Sequence, residues 1–202
     1  PADSLVPLWT ELLVFFDQPL NPSSVPTSNF ILSPTGGSAV SIGLTYNSTL
    51  QEVVVTPTSA LAANTQYTLT ITTSVTDTSG DSFDGFQGSF TTTSYGSTSG
   101  PPAFPSGLTG LLGSQGASSG IVYLTWNAAT ESGASTIMYD VYIATSSGAE
   151  PYWSPYTGAG TITTTSVNVS GLSSGTTYYF VVRAHENFGN QDRNTQEVTM
   201  RN

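Results

Sequence analysis

Apolar and polar residues alternate along most of the first hundred residues of the chain. Alternation of this kind places every second side chain on one face of an extended strand, and it predicts β-strands buried on one side. No long stretch of the chain shows the three-to-four-residue spacing of an amphipathic helix. The inward-facing positions predicted in the first half are Leu12, Val14, Phe16, Phe30, Leu32, Ile42, Leu44, Val53, Val55, Tyr67, Leu69, Ile71 and Phe90, with a hairpin turn at 47–49.

The same alternation continues in the second half, beyond a segment rich in Gly, Ser and Pro between Ser94 and Pro102. Gly and Ser make a chain flexible and consecutive prolines stiffen it, so this segment predicts a linker. We therefore predict domains over residues 1–94 and 105–202, joined by residues 95–104. The inward-facing positions predicted in the second half are Val122, Leu124, Trp126, Tyr139, Val141, Ile143, Val167, Val169, Tyr178, Phe180, Val182, Ala184, Val198 and Met200.

One short pattern occurs in both halves. Leu61 is followed six residues later by Tyr67, and Leu172 is followed six residues later by Tyr178, with turn-forming residues between them. This spacing is typical of a tyrosine corner, in which the ring packs in the core of a Greek-key sandwich and the hydroxyl bonds to the backbone of the turn. The sequence therefore predicts an all-β fold of two tandem Greek-key β-sandwiches.

The second half also carries a family resemblance. The segments that carry it are Val122–Trp126, Tyr139–Tyr142, Leu172–Tyr178, Val181–Ala184 and the loop Ala184–Asp192 with its Gly-Asn pair. On these segments, residues 105–201 resemble a fibronectin type III domain. The resemblance implies that Trp126 is the tryptophan of the domain core.

The first half resembles a second family. The segments that carry this resemblance are Val14–Pro19, Val55–Pro57, Leu61–Tyr67, Val75–Gly80 and Ser89–Thr92. On these segments, residues 3–93 resemble the bacterial Ig-like domain of surface-layer and other secreted proteins. The resemblance implies a location outside the bacterial cell or on its surface. It also implies a strand before the proline that Pro1 matches, so we expect the first sandwich to lack its first strand.

The charge of the chain limits its partners. The chain has 13 acidic residues, three Arg and no Lys, for a net charge of −10, and residues 1–100 contain seven acids and no base. Because Lys and Arg supply most of the affinity for nucleic acid, we expect no nucleic-acid binding. We also expect no membrane insertion, since no apolar run reaches the ~18 residues of a membrane span. The absence of cysteine excludes disulfides and a Cys nucleophile.

The residues offer little for catalysis. His185 is the single histidine, and it follows the inward-facing Ala184, so we expect its side chain to face solvent. A nucleophilic triad needs a histidine held between a carboxylate and a nucleophile. We therefore expect no enzymatic activity, no catalytic residue and no cofactor.

Two groups of acidic residues are candidates for binding Ca²⁺, although we expect no metal at either. Calcium favours clustered carboxylates on flexible loops, whereas an Asp in a turn often accepts hydrogen bonds from its own backbone. The first group is Asp77, Asp81 and Asp84; the second is Glu131, Glu186, Asn190 and Asp192.

Two sets of apolar residues suggest contacts with partners. Tyr152, Trp153 and Tyr156 lie in a Pro-bounded segment, where they either bind a polysaccharide or protein or pack over their own sheet. Leu13 and Phe15 fall on the outward face of a strand whose inward face is already apolar. A strand that is apolar on both faces is usually covered on both.

These observations favour a non-catalytic structural or adhesive module of a bacterial extracellular or cell-surface protein. One alternative is a self-assembling subunit of an extracellular filament or sheath, completed by a strand donated between copies. A second alternative is a carbohydrate-contacting accessory module of a secreted polysaccharide-degrading enzyme. The expected partners are therefore copies of the same chain, neighbouring domains of a longer chain, or a polysaccharide.

Overall fold

The computed structural model describes residues 5–94, 100–104, 112–116, 120–132 and 136–202. The chain divides into two compact units, Pro1–Gly100 and Pro101–Asn202. Within the described residues there is no α-helix, and the only helical segments are single 3-10 turns at Pro22–Ser24 and Thr27–Asn29. The predicted all-β fold class is confirmed.

The first unit is a sandwich of one four-stranded and one three-stranded sheet. Its strands are β1 (Leu5–Val6), β2 (Leu12–Phe15), β3 (Phe30–Pro34), β4 (Ile42–Asn47), β5 (Glu52–Pro57), β6 (Gln66–Ile71) and β7 (Phe86–Thr92). The four-stranded sheet has the order β1-β7-β6-β3, and the three-stranded sheet has the order β2-β5-β4. The chain thus crosses between sheets from β2 to β3 and from β5 to β6, as a Greek-key sandwich requires.

The alternation predicts which side chains enter the first core. The buried residues packed between its two sheets include Phe30, Leu32, Val53, Val55, Tyr67, Leu69 and Ile71. The predicted hairpin joins β4 to β5, which pair antiparallel. Its turn is stabilised by the Asn47 side-chain oxygen, which accepts hydrogen bonds from the N–H groups of Thr49 (3.0 Å) and Leu50 (3.2 Å).

The second unit is a sandwich of two three-stranded sheets. Its strands are β8 (Leu112–Gln115), β9 (Ile121–Thr125), β10 (Met138–Ala144), β11 (Ser166–Ser170), β12 (Thr177–His185) and β13 (Glu197–Arg201). One sheet has the order β11-β9-β8 and the other has the order β10-β12-β13. All neighbouring strands in both sheets pair antiparallel.

Trp126 lies in the core of the second sandwich, as the family resemblance implies. Its side chain is 4% exposed, and its ring meets the Tyr139 ring edge to face at a centroid distance of 5.3 Å. The Tyr139 hydroxyl accepts a hydrogen bond from the Ala129 N–H at 3.1 Å. Tyr139 therefore holds the backbone at Ala129 through its hydroxyl, while its ring packs against the Trp126 indole.

Both predicted tyrosine corners form. The Tyr67 hydroxyl accepts a hydrogen bond from the N–H of Ala62 at 3.0 Å, and the Tyr178 hydroxyl accepts one from the N–H of Ser173 at 2.9 Å. Each donor is the residue that follows the leucine of the repeated pattern. In both sandwiches, this hydrogen bond therefore ties the tyrosine's strand to the turn that precedes it.

The turn of each corner depends on a residue with positive φ at the same place in the pattern. Asn64 has a φ of 48° and Gly175 has a φ of 76°. Gly adopts this left-handed conformation without steric cost, and Asn tolerates it better than most residues. This requirement explains why the two corners differ in sequence but keep Asn or Gly three residues after the leucine.

The predicted linker lies partly outside the described residues, which omit residues 95–99. Of its remaining part, Ala103 forms a β-bridge with Thr130, and the Phe104 ring packs against the Tyr139 ring at 6.4 Å. The end of the predicted linker thus contacts the second sandwich. Within the part of the chain that the structure describes, no helix is long and apolar enough to cross a membrane.

Candidate functional site

The first sandwich is open along one side, where β2 forms the edge of its sheet. The inward side chains of Leu12 and Val14 in β2, and of Phe16 just after it, pack against the core but remain only half-buried. On the adjacent strand β5, Val53 and Val55 are fully buried. Leu12 and Val14 face inward as Val53 and Val55 do, but among the described residues β2 is the edge strand of its sheet, and its side chains are therefore covered from one side.

In the facing sheet, the described part of β1 runs parallel to β7 and pairs with Thr91 and Thr92. Among the described residues, the earlier part of β7 pairs with β6. Phe86 begins β7 and is 48% exposed. Its ring folds over Gly88, where an added Cβ would lie 2.7 Å from the ring. Gly88 therefore makes room for the Phe86 ring.

Together the two open edges form a groove of about 680 Å³. Its apolar lining residues are Val6, Leu12, Leu13, Val14, Phe15, Phe16, Leu69, Ile71, Phe83, Phe86 and Phe90. We call this the edge groove. Its volume lies within the range of typical ligand sites, and an exposed apolar concavity of this kind marks a contact surface.

Leu13 and Phe15 take the outward positions that the sequence predicts. Leu13 is half-buried and Phe15 is 49% exposed, and both line the edge groove. Two of the large apolar side chains most exposed in the first sandwich, Phe15 and Phe86, thus meet at one site. The prediction that further polypeptide covers this strand stays a prediction, as does the missing first strand, because residues 1–4 lie outside the described part of the chain.

The charge around the edge groove is negative. Glu11 and Asp17 lie just before and after the edge strand, and both line the groove. Residues 1–100 contain seven acids and no Lys, Arg or His.

His185 differs in part from its predicted environment. Its side chain is 24% exposed, and Nε2 lies 3.7 Å from Oδ2 of Asp140, so it is less open to solvent than expected. Burial raises the pKa of the Asp140 carboxyl, while the nearby His185 and a hydrogen bond from Tyr142 lower it. The Gln191 amide also donates to this carboxylate at 2.7 Å. The group is a polar network on the surface of β10 and β12, in which the carboxylate is held by hydrogen bonds.

In the first calcium candidate, the Asp77 carboxylate accepts hydrogen bonds from the backbone of its own turn. Asp77 Oδ1 accepts from the N–H groups of Ser79 (2.8 Å) and Asp81 (2.9 Å). The interpretation of Asp77 as a turn-stabilising residue is confirmed. Among the residues that the structure describes, no group of three or more His, Asp or Glu is arranged to hold a metal ion.

The second calcium candidate is likewise built into a loop. Glu186 is fully buried, and its carboxylate accepts hydrogen bonds from the N–H groups of Phe188 and Asn190. The Asp192 carboxylate accepts from the N–H groups of Ala184 and Asn194. These two acids therefore shape the loop between β12 and β13.

Tyr152 and Trp153 of the aromatic segment differ in exposure. The Tyr152 ring is covered on one face by the Arg183 guanidinium, at 3.6 Å from the ring centroid, and meets the Tyr142 ring edge to face at 5.2 Å. Burial raises the pKa of Tyr152 to about 12. Trp153 is 49% exposed. A flat platform of two exposed rings, which sugar stacking favours, is therefore not formed by Tyr152 and Trp153.

A pair of carboxyls, one buried and one partly exposed, was not predicted from the sequence. Glu150 is 1% exposed, and burial raises its pKa to about 7, aided by the nearby Glu197. Burial also acts on Glu197, but hydrogen bonds from the Gly148 N–H (2.5 Å) and the Ser147 hydroxyl (2.7 Å) outweigh it and lower its pKa. Glu150 is therefore the member of the pair that keeps its proton to the higher pH. Glu150 lies in a loop and Glu197 in β13, so no local spacing could reveal the pair.

The geometry defines a protein of two tandem all-β sandwiches with an open edge groove on the first. Residues 2–92 match the model of the bacterial Ig-like domain, and residues 105–201 match that of the fibronectin type III domain. The chain therefore consists of a bacterial Ig-like domain followed by a fibronectin type III domain. Domains of these types are typical of surface and secreted proteins.

Comparison with solved structures gives distant similarities. The chain is similar to domains 1–6 of the surface layer protein SbsC, at 15% identity and a TM-score of 0.41, covering 96% of this chain and 24% of that one. It is similar to domains A168–A170 of titin, at 14% identity and a TM-score of 0.36, covering 97% and 59%. It also matches the spore cortex lytic enzyme SleM of Clostridium perfringens, at 19% identity and a TM-score of 0.36, covering 50% and 29%. The chain thus spans less than two thirds of each of these structures, and no curated protein matches it in sequence.

Proposed function

We propose that this chain is a non-catalytic structural module of a bacterial extracellular or cell-surface protein, and that it joins to other polypeptide through the edge groove. The single observation that carries the proposal is the apolar edge groove that the described residues of the first sandwich form. Sheet edges with unpaired backbone groups attract further strands, and soluble proteins normally block them. An edge that is open and apolar is suited to assembly.

The proposal that the chain is not an enzyme rests on the surroundings of His185. Its Nε2 faces Asp140, and its Nδ1 lies 3.3 Å from the carbonyl oxygen of Glu186. Both ring nitrogens are thus directed at acceptors, whereas a general base needs one nitrogen directed at a nucleophile. We expect a panel of esterase, protease and glycosidase substrates to show the same background turnover with wild type and with His185→Ala. Turnover that disappears in the variant would contradict this part of the proposal.

Location is tested on intact cells of the source bacterium. An antibody against the purified chain should label intact cells or the cell-free medium, and externally added protease should remove the cell-bound signal. A cytoplasmic protein of the same cells serves as the control and should stay protected. Labelling that requires lysis of the cells would refute an extracellular location.

The edge groove also favours a second candidate, a filament or sheath subunit completed by a strand from a neighbouring copy. A head-to-tail contact of this kind is heterologous and builds open filaments unless it closes into a ring. Sedimentation of the purified chain over a concentration series, with electron microscopy of the same samples, tests it. Assembly that grows with concentration supports this candidate, and a monomer at all concentrations contradicts it. We do not extend the proposal to polysaccharide binding, because the Tyr152 ring is covered by Arg183.

A further inference from the structure

The outer face of the sheet β10-β12-β13 is buried, although it lies outside the core of the second sandwich. The buried core residues of β10 and β12 are Tyr139, Val141, Phe180, Val182 and Ala184. The alternate residues Tyr142, Val181 and Arg183 lie on the opposite face of the sheet. Their exposed fractions are only 2%, 0% and 4%, so another part of the chain covers them.

The cover is the segment 145–155, which follows β10 and which we call the strap. Its Tyr152 ring lies against the Arg183 guanidinium of β12, 3.6 Å from the ring centroid, in a cation–π contact. The same ring meets the Tyr142 ring of β10 edge to face at 5.2 Å. The strap therefore lies across the outward side chains of two neighbouring strands.

The far end of the strap is held by the residue that follows it. The Tyr156 N–H donates to the Val141 carbonyl of β10 at 2.7 Å, and the Tyr156 side chain packs against the core of the sandwich. The strap itself adds no residue to that core cluster. It can therefore leave the sheet without opening the core.

The start of the strap is fastened to β13 by one carboxylate. Glu197 accepts hydrogen bonds from the Ser147 hydroxyl at 2.7 Å and from the Gly148 N–H at 2.5 Å. Glu150, which is 1% exposed, also forms a hydrogen bond with Glu197. Because two ionised carboxylates repel each other, this last bond requires a proton, which Glu150 keeps to the higher pH.

An ionised Glu150 is unfavourable in this position. Its Oε1 is buried and meets no hydrogen-bond donor among the described residues. A buried charge that lacks a donor and faces a like charge is costly, and opening of the strap would return it to water.

We propose that the strap is a pH-sensitive cover of this sheet, which protonated Glu150 holds closed and which loss of that proton releases. The inference depends neither on the edge groove nor on the proposed function. Burial of Glu150, together with the hydrogen bond to Glu197 and the charge of Glu197, raises its pKa from 4.5 to about 7. The contribution of the proton to closure is therefore complete below pH 4.5 and is lost as the pH rises through 7. Release would uncover Tyr142 and Val181.

Other charged and titratable groups share this face of the second sandwich. The strands direct outward Asp140, Tyr142, Tyr179, Arg183, His185, Glu197 and Arg201, and the strap adds Tyr152. Arg183 is a permanent cation, and burial raises the pKa values of Tyr142 and Tyr152, so that both stay neutral. His185 Nε2 lies 3.7 Å from Asp140 Oδ2. Because histidine also titrates near neutral pH, His185→Ala is a necessary control.

The experiment measures hydrogen exchange of the full chain by NMR between about pH 5 and about pH 8. The reporters are the strap N–H groups of Gly148, bonded to Glu197, and Ser154, bonded to the Pro151 carbonyl at 2.8 Å. Protection factors, which correct for the intrinsic effect of pH on exchange, give the opening constant of the strap. With a pKa of 4.5 for Glu150 when open and about 7 when closed, this constant should rise roughly fiftyfold over the range and then level off.

Internal controls distinguish opening of the strap from unfolding of the domain. The N–H groups of Tyr156 and of β9 should stay more protected than the reporters at every pH. Low concentrations of urea should accelerate exchange in β9 and leave the reporters nearly unchanged, because opening of the strap exposes little surface.

Two variants identify the group that titrates. Glu150→Gln keeps a donor to Glu197 but has no proton to lose, so the reporters should stay protected throughout the range. At about pH 8, a protease that cleaves after aromatic residues should cut wild type after Tyr152 or Trp153 faster than it cuts this variant. Glu197→Gln removes the like charge and should move the rise in opening to higher pH-independent protection at about pH 7, since the pKa of Glu150 falls.

The outcomes separate this inference from the proposed function. A flat wild-type profile, or a profile that persists in Glu150→Gln, would overturn the inference. Reporters as protected as β9 would show that the strap opens only when the domain unfolds, and would overturn it too. A profile lost in His185→Ala but kept in Glu150→Gln would assign the titration to the Asp140–His185 pair instead. The proposed function is tested by location and by hydrolytic assays, on which none of these results bears.

Discussion

Truncation of the buried tryptophan tests whether each domain has its own core. Trp126 is 4% exposed, and it packs in a cluster made only of second-domain residues. Replacing a buried Trp with Ala costs about 3–5 kcal/mol, which includes the loss of the edge-to-face contact with Tyr139. A domain of this size has a total stability of about 5–15 kcal/mol, so Trp126→Ala removes a large part of it. At about 4–8 °C for each kcal/mol, the second domain should melt at least about 12 °C lower.

The assay is calorimetry of the full chain, in which we expect two transitions. Trp126→Ala should shift one of them and leave the other within about 1 °C. The indole N–H of Trp126 meets no hydrogen-bond acceptor among the described residues, so Trp126→Phe loses no hydrogen bond and should cost clearly less. Trp153→Ala is the matched control in the same domain, because its side chain is half-exposed. A single transition that moves as a whole would refute separate cores, and an equal effect of Trp153→Ala would refute the argument that burial sets the cost of Trp126→Ala.

The remaining predictions concern the corners, the carboxyl pair and the Asp77 turn. Tyr67→Phe should destabilise the first domain alone, and Tyr178→Phe the second domain alone, each by about 1 kcal/mol, measured by urea unfolding; an effect on both domains would contradict this. The pKa of Glu150 is raised from 4.5 to about 7, so the stability that its protonated form supplies is complete below pH 4.5 and is lost as the pH rises through 7. Glu150→Gln should flatten this loss in melting curves from pH 4.5 to 8.5, and an unchanged pH profile would refute the assignment. Calcium at about 1 mM should shift neither melting transition by more than about 1 °C, because Asp77 already accepts two backbone N–H groups, and a larger rise would reveal a bound ion.

The strands and their inward faces were accessible from the sequence because they depend on a local signal. A period of two places Val122 and Leu124 on one face of β9 and Tyr178 and Phe180 on one face of β12, wherever those strands lie in the fold. The tyrosine corners were equally accessible, since leucine, turn and tyrosine lie within seven residues. Both features are fixed by neighbours in sequence, and both agree with the structure.

Strands β1 and β8 were missed for a physical reason. Strand β1 has two residues, and β8 begins at Leu112, which is 65% exposed, and contains Gly113. Neither segment buries alternate side chains, so neither shows a period of two. They are strands because their backbones pair with a neighbouring strand: β1 pairs with β7, and β8 pairs with β9. Such strands depend on tertiary context, which overrides local preference.

The sequence predicted only part of the candidate site. The apolar outward positions Leu13 and Phe15 were recognised because they break the alternation of β2. Phe86 was not, although it lies on the other wall of the same groove, because nothing in the sequence shows that β7 faces β2. Its spacing of two from Gly88 is a weak signal, since a glycine beside an aromatic residue in a strand can make room for the ring. The groove itself is a property of two strands 71 residues apart and can be seen only in the fold.

The two domains show how one Greek-key plan can be either closed or open at the same position. In the second sandwich, β8 covers the outer side of β9, and the side-chain amide of Gln115 on β8 donates to the Arg201 carbonyl of β13 in the opposite sheet. This bond links the two sheets on the side where the first sandwich has its groove. The first sandwich keeps the same corner and the same partner strand for β2, but no strand beside it and no such link among the described residues. Among the described residues its apolar floor is therefore less covered than the corresponding face of the second sandwich, and exposed apolar area of this kind costs stability.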